Sequence, residues 1–130
     1  HDLGECFTGD IPTFDKTKAD EQREEQLLQE WVDQLPSPFR EEMTALYQEM
    51  EARETVEAKI YKALDNLEAV LQHNESDIST WADHEYELQR TYGNDKVQFS
   101  EYLKTLRQEV LEETEEKIIT AVYAQMNSYK

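Results

Sequence analysis

An all-α fold, a single helical bundle, is predicted by three features of this 130-residue sequence. Glycine and proline are rare, with three of each; apolar residues recur three and four positions apart through most of the chain; and capping or turn residues interrupt that pattern at helix-length intervals. With 38% apolar residues the chain can bury one modest core, so a single domain over residues 1–130 is expected.

The elements follow in order. From Asp20 to Leu35, the residues Leu27, Leu28, Trp31, Val32 and Leu35 fall on one stripe, which ends before Pro36 and Pro38. Ser37 is expected to cap the next helix, with Pro38 at its first position and Phe39, Met43, Leu46, Tyr47 and Met50 on its buried face. Thr55 to Gln72 places Val56, Ile60, Leu64, Leu67 and Leu71 on one side of a core helix of about five turns. The stretch HNESDIST, residues 73–80, is polar and turn-like. A short helix is expected over Asp83–Thr91, with Gly93 free to take the left-handed position behind it. Ser100 caps a final long helix carrying Tyr102, Leu103, Leu106, Val110, Ile118 and Val122, and the acidic run from Glu112 to Glu116 reads as a solvated face. There is no internal repeat.

Charge and composition narrow the function. A net charge of −17, with 13 scattered basic residues, disfavours nucleic-acid polymers, because displacing phosphate counterions requires clustered Lys and Arg. A small phosphorylated molecule is still admissible where a metal ion supplies the dominant local charge. Cys6 is the single cysteine, so a reducing, cytoplasmic location is expected, and no apolar run reaches the roughly 20 residues that span a bilayer, so no membrane partner is expected.

The chain opens on HDLGECFTGDIP. If residues 1–8 are helical, His1 and Glu5 lie four apart and Asp2 and Glu5 three apart, so the three side chains share one face. A His nitrogen, an Asp oxygen and a Glu able to take a proton from a nearby water suit a divalent metal site. Spacing alone is equally that of a charged helix end. Asp65, next to Leu64 on the expected core helix, adds a second signal, since a carboxylate at the margin of an apolar face needs a compensating cation or hydrogen bonds.

HDLGECFTGDIP, together with EARETVEAKIYKALDNLEAVLQ at residues 51–72, resembles the HD-domain metal-dependent phosphohydrolases, in the branch of the 5′-deoxynucleotidases. The resemblance runs over about residues 1–75 and implies the HD-domain helical bundle. It implies His1, Asp2 and Asp65 as metal ligands, Glu5 as the catalytic residue that handles the nucleophilic water, and Asp10 as a residue near the substrate sugar or leaving group. The cofactor so implied is one divalent metal ion, Mn, Co, Zn, Fe or Mg. The family's site draws a further His from a helix several tens of residues earlier, and an Arg-Trp region earlier still contacts the nucleotide. His73 and His84, the other histidines, do not match that ligand. The chain is therefore expected to be the C-terminal two-thirds of a longer protein, lacking the N-terminal helices of the domain.

The function expected is a phosphomonoesterase that converts (deoxy)nucleoside 5′-monophosphates to nucleoside and phosphate, in a homodimer. A non-catalytic helical interaction protein, or an inactive piece that keeps the fold, is the alternative; a di-metal carboxylate oxidase lacks its Glu-x-x-His pairs. Other residues have plainer expectations. Cys6 reads as a small buried hydrophobe and Trp31 as core. Trp81 reads as a cover for a pocket mouth or subunit contact, and His73 and His84 as surface or helix-end residues. Lys59 and Lys62 either steer a substrate phosphate or pair with neighbouring carboxylates.

Overall fold

The computed structural model describes all 130 residues as six α-helices and two 3₁₀ turns, with no strand. The chain divides into two compact units, His1–Ala58 and Lys59–Lys130.

The first unit opens with a 3₁₀ turn, Asp2–Gly4, that runs directly into the single turn of α1, Glu5–Thr8. Gly9, at φ 82°, then reverses the chain, a conformation that costs an L side chain and costs glycine little. Helix α2, Lys18–Asp33, begins two residues before the apolar stripe suggests. The reason is a capping box: the Asp20 amide donates to Thr17 Oγ1 at 3.3 Å, and the Thr17 amide donates to the Asp20 carboxylate at 2.9 Å. Leu28 and Val32 are the buried residues of α2, whereas Trp31, expected in the core, is 39% exposed.

Helix α3, Phe39–Ala52, starts one residue later than expected, with Pro38 as its N-cap. Ser37 is not the cap; its hydroxyl donates to the Glu41 carboxylate at 3.0 Å. None of the apolar residues of α3 is fully buried, and Phe39 and Leu46 are exposed. Helices α1 and α3 both pack on α2.

The second unit is built on α4, Val56–Glu75, with α5, Asp83–Thr91, and α6, Glu101–Ser128. Thr55 caps α4, its hydroxyl accepting from the Ala58 amide at 3.2 Å, and Ser100 caps α6 as expected, accepting from the Leu103 amide at 3.3 Å. The core gathers Ala63, Leu67 and Val70 of α4 with Val97, Leu103 and Val110. This corrects the expected face of α4. Val56 and Leu64 are 59% and 47% exposed, while Ala63, Asn66, Leu67 and Val70 face inward. The inner face is rotated because a polar network runs through this core. Gln89 is fully buried and donates to the Val70 carbonyl at 2.6 Å and to Asn74 Oδ1 at 2.9 Å. Thr114, also buried, donates to the same Asn74 oxygen at 2.9 Å, and Asn74 donates to the Val110 carbonyl at 3.2 Å. Thus α4 turns inward the side that holds Asn66, Leu67, Val70 and Asn74; Leu67 and Leu71 meet the core as expected, while Val56 and Leu64 lie off that side.

Trp81 is buried within this unit. Its indole N–H donates to the His73 carbonyl and to Ser76 Oγ, both at 3.1 Å, and its ring meets Tyr86 edge-on at 5.4 Å. Gly93, at φ 79°, follows α5 in the left-handed conformation the sequence suggests.

Candidate metal and proton-transfer site

The expected helix over residues 1–8 forms only in part: Asp2–Gly4 is a 3₁₀ turn, Glu5–Thr8 a single α-turn, and His1 is the N-cap outside both. The whole segment is laid against α2 by Gly4. That residue is buried, and a Cβ placed on it would lie 2.5 Å from Cγ of Glu24. Only glycine lets the backbone approach this closely.

His1 Nε2 and Asp2 Oδ1 stand 2.9 Å apart. At that distance the two groups are in direct polar contact with each other; an imidazole nitrogen and a carboxylate oxygen are both types of group that ligate divalent ions. Glu5, one turn on, is half-buried. Burial raises its pKa above the usual carboxylate range, and the negative charges of Asp2, Asp10 and Glu24 push the same way, against a smaller opposing effect from Lys16. Lys16 Nζ lies 2.7 Å from Glu24 Oε2 and 3.7 Å from Glu5 Oε1. Its own burial works to lower its pKa, but the hydrogen bond it donates to Glu24 and the charges of Glu24 and Glu5 outweigh that and raise it. The lysine therefore stays charged beside Glu5. Nothing in the hydrophobic pattern pointed to Lys16 or Glu24; the signal was the close approach that Gly4 permits. Asp10 follows the Gly9 reversal and is exposed, near enough to Glu5 to act on it electrostatically. Cys6, expected to be buried, is exposed.

Asp65 belongs to the second unit, on α4, where its side chain is 28% exposed and Lys62 Nζ lies 3.0 Å from Oδ2. Lys62 thus supplies a compensating cation one turn away, the pairing expected as one of its two roles. Within neither unit does a group of three or more His, Cys, Asp and Glu side chains gather that could hold a metal by itself. The ligands implied by resemblance are divided, two in the first unit and one in the second.

The family model described as HD domain matches residues 1–107, and the chain belongs to that family. Among curated proteins it is 38% identical over 77 residues to 5′-deoxynucleotidase HDDC2 of Homo sapiens, covering 58% of this chain and 38% of that protein. The Danio rerio protein of the same name is 39% identical over 77 residues, covering 58% of this chain and 38% of its own, and that of Xenopus laevis 39% over 74 residues, covering 55% and 37%. The chain therefore spans less than two-fifths of the length of the curated relatives it matches. No solved structure matches it. No helix is long and apolar enough to cross a membrane.

Proposed function

We propose that this chain carries the proton-transfer centre of a metal-dependent phosphohydrolase acting on (deoxy)nucleoside 5′-monophosphates. The observation that carries the proposal is the His1–Asp2 donor pair, 2.9 Å apart, with Glu5 one turn away. Family membership and relatives named as 5′-deoxynucleotidases support the reaction and the substrate class.

In this reading His1 and Asp2, with Asp65, hold one divalent ion, which supplies Lewis acidity toward the phosphoryl group and acidifies a water. Glu5 accepts the proton of the attacking water, and its raised pKa makes it a better proton acceptor than an ordinary surface carboxylate. Lys16, charged and 3.7 Å from Glu5, keeps a countercharge beside it while the proton moves. Asp10, exposed at the end of the same segment, is in this reading the residue that meets the sugar or the leaving oxygen.

The partners we propose are the nucleotide and a second copy of the chain; no nucleic-acid polymer and no membrane belong to the reading. Exposure of Ile119, Val122, Met126 and Tyr129 along the end of α6 supports the homodimer. The free thiol of Cys6, exposed, fits a reducing cytoplasm. The test is phosphate release from deoxynucleoside monophosphates by the native gene product. Release should require added Mn or Co, or another divalent ion, and vanish with chelator; release undiminished by chelator would refute the reading.

A further inference from the structure

The second unit holds an ionic group that the proposed hydrolysis does not use. Arg107 of α6 is 3% exposed. Its Nε donates to the Tyr92 carbonyl at 3.2 Å and its Nη2 to the Gln89 carbonyl at 3.1 Å, so two of its three nitrogens hold the end of α5. Nη1 is buried with no hydrogen-bond partner. Burial alone pushes the guanidinium's pKa down, with no carboxylate acting on it. A buried cation without a counter-charge is costly, and proteins that keep one commonly meet that cost with a bound anion.

Arg107 also lines a pocket of about 340 Å³. Its second cation is Lys104, one turn earlier on α6, whose ammonium is paired at 2.5 Å with Glu101, a carboxylate 91% exposed. Such a solvent-screened pair is weak, and the flexible lysine stem can turn to a ligand. The carboxamides of Asn94, Gln98 and Gln108 complete the polar wall, and Val97 and Leu111 the apolar one. In a chain with 30 acidic residues, none of the lining residues is a carboxylate.

We propose that this pocket binds a phosphate group, free or as the monoester of a small organic molecule, with Arg107 and Lys104 as its charged lining residues. A guanidinium and an ammonium together offer donors in several directions, which a tetrahedral oxyanion can accept with all its oxygens. The volume lies at the lower end of small-molecule sites, and the aliphatic wall gives an ester's carbon atoms apolar contact. This site lies wholly within the second unit and stands or falls independently of the proposed hydrolysis.

The native protein, stripped of metal and kept in chelator at constant ionic strength, is titrated with inorganic phosphate and separately with phenyl phosphate, and followed by amide NMR and by thermal unfolding. Saturable shifts are expected at Asn94–Gln98 and along the first turns of α6, with the unfolding temperature rising with ligand concentration. Saturation by phosphate identifies the free ion as sufficient; saturation by the ester alone identifies an organic phosphate. Because Arg107 also holds α5, the informative variants are at the rim. Lys104→Ala and Gln108→Ala, both at solvent-facing positions whose partners are surface carboxylates, should each weaken binding about tenfold while changing ligand-free unfolding little. A response to both compounds no different from that to sodium chloride, or wild-type affinity in both variants, overturns the proposal.

Discussion

Glu5 illustrates how one side chain's surroundings set both stability and chemistry. Burial and the charges of Asp2 and Asp10 raise its pKa, so the native state binds its proton more tightly than the unfolded chain does. Ionising it therefore costs native stability, a cost absent below the ordinary carboxylate pKa of about 4.3 and complete once the pH has passed the folded-state value. Glu5→Gln is accordingly expected to raise the unfolding temperature at pH 7 and to lose that advantage near pH 4. The same substitution should lower kcat by roughly 10²–10⁴, the usual worth of a positioned base. Melting curves across that pH range, run beside turnover assays, check both; a variant less stable than wild type at neutral pH would show that Glu5 serves the fold through Lys16 and not the chemistry. Lys62 beside Asp65 gives a parallel case. Lys62→Ala leaves Asp65 without that cation and should tighten divalent-ion binding by the native gene product, read by calorimetric titration; weaker binding would mean that Lys62 orients the carboxylate.

Turns and caps show which features of the elements the sequence made legible. The bounds of α5 and the Ser100 cap of α6 follow directly from local signals, because a serine before an apolar repeat and a glycine after one act through neighbouring backbone groups. The start of α2 was legible too, in the Thr17-x-x-Asp20 box, but an argument from apolar spacing passes over it. Asp20, hydrogen-bonded by the Thr17 hydroxyl and amide, has a lowered pKa, so its contribution to the cap is present above the unfolded value and lost as pH falls through the folded one. What was not legible is the inward face of α4. Val56, Ile60 and Leu64 form the more regular apolar stripe, yet the buried positions are set by Gln89, Asn74 and Thr114, polar residues whose pairing is decided by tertiary geometry. The candidate site was legible as a motif, while Gly4, Lys16 and Glu24, which position and charge it, emerge only once the first segment lies on α2. Two glycines separate conformation from contact. Gly9 has open space around a Cβ, whereas a Cβ on Gly93 would meet that of Asn66 at 2.9 Å, and both have positive φ. Gly9→Ala should cost about 1–3 kcal/mol in denaturant unfolding through backbone strain alone, because φ 82° with ψ 162° is a region essentially reserved for glycine, and Gly93→Ala at least about 1 kcal/mol through positive φ together with the Asn66 contact. A Gly9→Ala variant as stable as wild type would show that this reversal relaxes freely.

Across the molecule, 30 acidic against 13 basic residues make self-repulsion a general feature. Raising salt from about 0.01 to 0.15 M shortens the screening length from about 30 to 8 Å, and the unfolding temperature should rise with it; a fall would show that ion pairs such as Arg90–Glu115 outweigh the repulsion. So acidic a protein attracts a metal ion but repels a dianionic substrate, and in the proposed reading Lys16 and the metal itself would supply the local positive charge. The family fixes the helical frame, and the proposed activity needs Asp65 as well as His1 and Asp2 as metal ligands. The most direct test measures metal content and phosphate release together, in the native gene product and in its Asp65→Asn and Glu5→Gln variants. The account predicts that Asp65→Asn loses metal and activity together, while Glu5→Gln keeps the metal and loses activity. Asp65→Asn retaining both its metal and its phosphate release would contradict it.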